Sequence, residues 1–215
     1  MSRVIIFGAN GRTGRLIVEE ALRAGHDVTA AVRTPEKFPP VTVGTSTQQG
    51  TMAVVRADVR DPASVQAAVA GHDAVVSAIG PPGRRALGLY SDGARALVTA
   101  MERTGVGRII ALSSAGVRHD DPQFAFWYRC IARTLLKELY DDMRLMESIV
   151  RESTLDWTFV RPSHLEDKTP TGLYRVQDGG TPPGGWKVTR TDLARFIIRE
   201  LDEHRWSHAA PTLAQ

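Results

Sequence analysis

Cysteine is almost missing from this sequence. Cys130 stands alone among 215 residues, so no intrachain disulfide and no thiolate metal cluster can form, and the thiol reads as a buried one. Long apolar runs are missing as well, since none approaches the roughly eighteen residues of a membrane span. The apolar run at the start is short and meets glycine at Gly8, without the charged-then-apolar pattern of a signal peptide, so a cytoplasmic location is expected. Neither sign of charge dominates: 27 Lys and Arg face 24 Asp and Glu, and the arginines are scattered. That distribution argues against a nucleic-acid or membrane surface and suits a local site for a phosphorylated small molecule. His26, His72, His119, His204 and His208 fall in turns or at helix ends without metal-ligand spacing, and no metal is expected. Internal repeats and low-complexity linkers are absent too. What remains is the 42% hydrophobic, 24% charged balance of an ordinary globular domain.

The apolar segments alternate with amphipathic ones. Arg3–Gly8 reads as a strand buried on both faces, and Arg12–Gly25 as a helix stopped by glycine. Asp27–Val32 and Met52–Arg56 read as strands, separated by a Pro-, Thr- and Gly-rich loop from Thr34 to Gly50. Asp61-Pro62 opens a helix with an N-cap and a proline in its first turn. Asp73–Ile79 is a fourth strand, Ser91–Thr104 a helix and Arg108–Leu112 a fifth strand. Gln123–Arg151 reads as one long helical stretch, aromatic at its start (Phe124, Phe126, Trp127, Tyr128). Asp156–Val160 is a sixth strand, followed by short strands near Leu173–Val176 and Trp186–Val188 and a helix from Thr191-Asp192 to Glu203. Such alternation predicts an α/β fold: a doubly wound, mostly parallel sheet of Rossmann type. The expected organisation is a single domain over residues 1–215, with a small C-terminal substrate-side segment at 161–190.

The strongest motif lies in the first fourteen residues. Gly8-Ala-Asn10-Gly11-Arg12-Thr13-Gly14 has the spacing GxxGxxG between a buried strand and an amphipathic helix. One glycine permits the tight turn, one the approach of a pyrophosphate and one close helix–strand packing. The pyrophosphate would then meet the open amides of a helix N-terminus. An acidic residue after the second strand would hold the ribose 2′-hydroxyl of NAD. Arg33 stands there instead, with Arg12 and Lys37 near enough to help grip a 2′-phosphate, so NADPH is the expected cofactor. The alternative is that Arg33 and Lys37 are solvated loop charges. Asp58-Val59 could meet the adenine, or Asp58 could be a turn aspartate.

Ligands of open α/β sheets lie outside the carboxyl ends of the strands. Those ends carry Ile79 and Gly80 after the fourth strand, Ser113 and Ser114 after the fifth, and Ser163 and His164 after the sixth. The serine hydroxyls could bond the nicotinamide or a substrate. His164 could donate a proton or only orient an acceptor, because imidazole exchanges protons near neutral pH. The Tyr-x-x-x-Lys pair of ketone-reducing enzymes is missing: no lysine follows Tyr90, Tyr128, Tyr140 or Tyr174 by four residues, and Tyr140 has Arg144 there.

These residues resemble the atypical short-chain dehydrogenases with an NAD(P)-binding, NmrA-like fold, and within that group the NADPH-dependent flavin reductases, also called biliverdin-IXβ reductases. The likeness runs through Ile6–Gly14, Val32-Arg33, Ala70–Val76, Asp92–Arg95, Asp141–Arg144, Val150–Ser153, Pro162–Asp167 and Thr171–Tyr174. The resemblance implies substrate-pocket roles for Ser114 and His164. Arg118–Leu139 is longer and more aromatic than its counterpart, which would reshape the pocket wall or make a subunit contact. Arg161 and Ser163 also change the surroundings of His164, and these departures argue against a tetrapyrrole substrate.

The sequence therefore points to an NADPH-dependent reductase passing hydride to a planar conjugated small molecule (a flavin, a quinone or a related chromophore). The rival readings are a non-catalytic NADP(H) sensor of NmrA type, with Phe124–Tyr128 as a partner face, and a tailoring reductase or isomerase. A monomer or homodimer is expected.

Overall fold

A computed structural model describes residues 1–41, 50–118, 120–125, 127, 130–131 and 134–215 of the chain. Six strands run in the order the apolar segments suggest: β1 (Arg3–Phe7), β2 (Asp27–Val32), β3 (Met52–Arg56), β4 (Ala74–Ser77), β5 (Arg108–Leu112) and β6 (Asp156–Pro162). They are parallel and lie in the order β3-β2-β1-β4-β5-β6. The order reverses between β1 and β4, which opens a crevice at the carboxyl ends of those two strands. Two further strands extend the sheet: β10 (Pro211–Ala214) pairs parallel with β6, and β8 (Arg175–Asp178) pairs antiparallel with β10. A separate two-stranded parallel ribbon joins β7 (His164–Glu166) to β9 (Lys187–Thr189).

Strand β1 explains why the sheet is covered on both faces. Its side chains alternate, with Ile5 and Phe7 entering one core and Val4 and Ile6 the other. The first core is closed by α2 (Pro62–Val69), α3 (Leu89–Thr104) and α4 (Lys137–Arg151), through Val65, Leu97, Met101, Met146 and Val150. The second is closed by α1 (Arg12–Arg23) and α5 (Arg190–Glu203), through Ile17, Val18, Leu193 and Ile197. Polar residues then fix the helix ends. Asp61 caps α2 by accepting from Ala63 N–H, and Thr189 caps α5 by accepting from Asp192 N–H. Asp142 of α4 reaches across to accept from Tyr90 N–H and Ser91 N–H at the start of α3.

The structure revises several sequence expectations. The stretch Gln123–Arg151 is not one helix: turns occupy Pro122-Gln123 and Thr134–Leu136, and α4 starts only at Lys137. Cys130 is exposed rather than buried, lying ahead of the turn at Thr134–Leu136 and outside α4. Of the aromatic run, Phe124 is buried and Trp127 exposed, whereas Phe126 and Tyr128 lie outside the described residues, as do His119 and residues 42–49 of the Thr34–Gly50 loop. The fourth strand is shorter than expected, ending at Ser77, and the sixth longer, reaching Pro162. Strands β7 and β10 have no counterpart in the sequence reading. No described helix is long and apolar enough to cross a membrane.

Candidate active site

The turn after β1 is built from close backbone approaches. Gly8 adopts φ +76°, and a Cβ there would overlap the Ala78 carbonyl beyond β4. Gly14, on the first turn of α1, sits so near that its Cβ would overlap the Gly8 carbonyl. Gly11 is the N-cap of α1, and no side chain caps the helix there. The first-turn amides of Arg12, Thr13 and Gly14 therefore open into the crevice with the positive end of the helix dipole behind them, a cradle suited to a pyrophosphate. Asn10 steadies the loop by accepting from Arg15 Nη2 at 2.6 Å.

These residues line one cleft of about 1370 Å³. Every residue singled out from the sequence borders it: Gly8, Asn10, Gly11, Arg12, Thr13, Gly14, Arg33, Lys37, Asp58, Val59, Ile79, Gly80, Ser113, Ser114 and His164. Arg33 and Lys37 are exposed at one corner, with no ion pair among the described residues, and Glu36 turns away to Arg56 at 3.4 Å. A phosphate at that corner would meet two cations. Asp58 accepts from Arg60 N–H at 3.0 Å, so its carboxylate holds the turn before α2, while Val59 is buried beside it.

The two serines after β5 part company. Ser114 is half-buried, and its Oγ accepts from Gly116 N–H at 3.1 Å. Ser113 is 5% exposed and donates its hydroxyl to Glu147 Oε1 at 2.7 Å. The Ser113 hydroxyl therefore commits its one proton to the protein interior, while Ser113 still borders the cleft. Glu147, on α4 and 2% exposed, also accepts from Arg161 Nε at 2.9 Å and pairs with Arg161 Nη2. This buried group ties Ser113, just past β5, to Arg161 near the end of β6. Glu147 reads in the sequence as an ordinary surface charge of a helix, and only the long-range pairing reveals its place.

His164 opens β7 and is exposed, with Trp186 beside it. Phe124, Tyr140, Met143, Leu165 and Trp186 add an apolar and aromatic wall. Phe124 belongs to the Arg118–Leu139 stretch read from the sequence as a pocket wall or a subunit contact, whereas the sequence does not single out the other four for the site. The Tyr90 phenol is pushed well above its ordinary value, first by burial and then by Asp142 and Tyr140, so it stays neutral. Arg190, at the start of α5, was also missed. It binds Asp167 at 2.9 Å, and its guanidinium is held below its usual value by burial first and by Arg12 second.

A β1–α1 glycine turn at the switch point of a parallel sheet, with cations beside β2, defines a dinucleotide-binding protein of the Rossmann class. The family model described as NAD(P)H-binding matches residues 8–204, and the chain belongs to that family. The yeast (Saccharomyces cerevisiae) UPF0659 protein YMR090W is 28% identical over 93% of this chain and 86% of its own. A Bacillus halodurans protein provisionally described as an NAD-dependent epimerase/dehydratase superposes with a TM-score of 0.81 at 28% identity, covering 100% of this chain and 94% of the other. Streptococcus pneumoniae SP1627, provisionally described as an NADH-flavin reductase, shares the fold with a TM-score of 0.75 at 23% identity over the whole of both chains.

Proposed function

We propose that the protein is an NADPH-dependent reductase of flat conjugated acceptors such as quinones and flavins, working inside the cell. The observation that carries this reading is that one cleft holds both the phosphate loop and the aromatic wall around His164. The amides of Arg12, Thr13 and Gly14 would hold the pyrophosphate, Arg33 and Lys37 the 2′-phosphate, and Ile79 and Gly80 the nicotinamide side. Their distribution favours NADPH over NADH, because Arg33 follows β2 where an acidic residue would hold a free 2′-hydroxyl, with Lys37 beside the same cleft. When bound, NADPH supplies a hydride and leaves as NADP⁺, so that a quinone taking that hydride and one proton leaves as its hydroquinone.

The chain's own groups then have simple duties. Ser114 offers its hydroxyl to an acceptor oxygen, and an imidazole nitrogen of His164 delivers the proton from the solvent side. The apolar wall excludes water from the acceptor face. Epimerase or ketone-reductase chemistry fits less well, since none of the four tyrosines is followed by the lysine that would activate it. The name given to SP1627 points the same way.

The test is NADPH consumption, followed by absorbance, with FMN, riboflavin and menadione on wild type and His164→Ala. Turnover that falls by about 10²-fold or more in the variant is expected of a lost proton donor. Wild type that consumes no NADPH with any of the three would overturn the reading.

A further inference from the structure

Trp186 precedes β9, and its backbone is fixed on two sides. Its carbonyl accepts from His164 N–H at 2.9 Å, and its own N–H donates to the Gln215 carbonyl at 3.0 Å. The two ring systems are consequently coupled through adjoining strands. The imidazole of His164 and the indole of Trp186 are parallel within 10°, their centroids 6.3 Å apart. Trp127 meets Trp186 edge-on, with centroids 6.2 Å apart at 60°. Trp186 nevertheless stays 39% exposed and borders the cleft. An indole usually buries its large apolar surface, so one that keeps this much exposure beside a cleft, with His164 parallel to it and Trp127 against it, offers a stacking surface.

We propose that Trp186 is the acceptor-orienting residue of this site: its indole face, parallel to His164, sets the plane in which a flat conjugated acceptor lies. A planar ring that packs against either side chain is parallel to both. The acceptor plane is then fixed before chemistry, and His164 meets it in one constant attitude. Such a surface selects extended π-systems and gives nothing to compact, non-planar carbonyl compounds. The inference rests on the reductase reading for its substrate, and no part of it concerns the cofactor end.

The test compares wild type, Trp186→Phe and Trp186→Leu in two ways. In steady-state assays with menadione and FMN, Trp186→Leu is expected to raise the acceptor KM roughly 5- to 150-fold, the loss that one aromatic stack represents. Trp186→Phe should recover much of this, and the NADPH dissociation constant should stay within about twofold in both, which also certifies the fold. Separately, FMN titrated into ¹⁵N-labelled protein should shift the Trp186 indole N–H resonance, identified by its absence in Trp186→Phe. Wild-type turnover with an unchanged KM in Trp186→Leu would sink this inference and leave the reductase intact. FMN binding that depends on Trp186 without any turnover would sink the reductase and keep the stacking surface. Wild type that neither turns over nor binds FMN or menadione would overturn both.

Discussion

Arg12 and Asp167 form an ion pair across the mouth of the cleft, joining the first residue of α1 to the segment that follows β7. Asp167 is shared with Arg190 on the other side, at 2.9 Å. A carboxylate therefore sits on the arginine nearest the pyrophosphate cradle and competes with any phosphate that approaches it. Asp167→Asn is expected to tighten NADP⁺ binding by about 2- to 5-fold at low ionic strength, with the gain vanishing near about 0.5 M salt. Calorimetric titration at two salt concentrations checks this, and weaker binding by the variant would contradict it.

Arg33 controls the choice of dinucleotide in the proposed reading. Replacing it with serine removes one charge-assisted grip on a 2′-phosphate and leaves the pyrophosphate cradle untouched. The KM for NADPH should rise roughly 10- to 100-fold in Arg33→Ser, as the loss of such a bond implies, with that for NADH nearly constant. Parallel assays with the two cofactors decide it; an equal change in both would place Arg33 outside the site.

Glu147 supports the site from behind. Removing its charge leaves Arg161, 6% exposed, without its carboxylate in a dry interior. Glu147→Leu should cost about 3–5 kcal/mol in urea denaturation, the usual penalty for orphaning a buried charge. Glu147→Gln should cost less, because an amide oxygen can still accept from the guanidinium. Equal stability of Glu147→Leu and wild type would show that the cluster bears no net weight.

Asp73 gives the protein part of its acid sensitivity. The Arg3 backbone N–H, at 2.7 Å, and the Arg3 guanidinium hold its carboxyl below the ordinary value. A lowered folded-state value contributes stability that is complete above the unfolded value of about 3.9 and is lost as pH falls through the folded one. Asp73→Asn should therefore melt below wild type at neutral pH and converge with it near about pH 2. Melting curves across that range test the sign, and a gap that widened on acidification would reverse it.

Much of the cofactor half was legible in the residues because its signals are local. β1, β2, β3 and β5 follow from short apolar runs bounded by glycine or charge, and the Gly8–Gly14 spacing fixes what lies between β1 and α1. The acceptor half depends on distant pairings. Pro211–Ala214 has no strand signature and becomes β10 only because β6 and β8 flank it. Ser113 and Ser114 are identical in type and adjacent, and only Glu147, thirty-four residues away, separates their roles. Trp186 appears in the sequence only as the start of a short strand, and its place beside His164 comes from the pairing of β7 with β9. Periodicity also overruns real breaks, as in Gln123–Arg151, where it carries no mark of the turn at Thr134–Leu136.

The position of β10 gives the molecule a division of labour along its length. All the residues assigned to the dinucleotide lie before Ser114, whereas Trp186 and β9 are suspended from Gln215, whose carbonyl accepts from Trp186 N–H and whose N–H donates to the Lys187 carbonyl at 2.6 Å. Loss of Pro211–Gln215 would strip β8 of its partner and remove the bonds by which Gln215 holds Trp186 and Lys187. In the proposed reading, the nucleotide cradle would be spared and the hold on the acceptor weakened. Residues 211–215 thus act, in that reading, as the keystone of the acceptor side, because Gln215 bonds both Trp186 and Lys187.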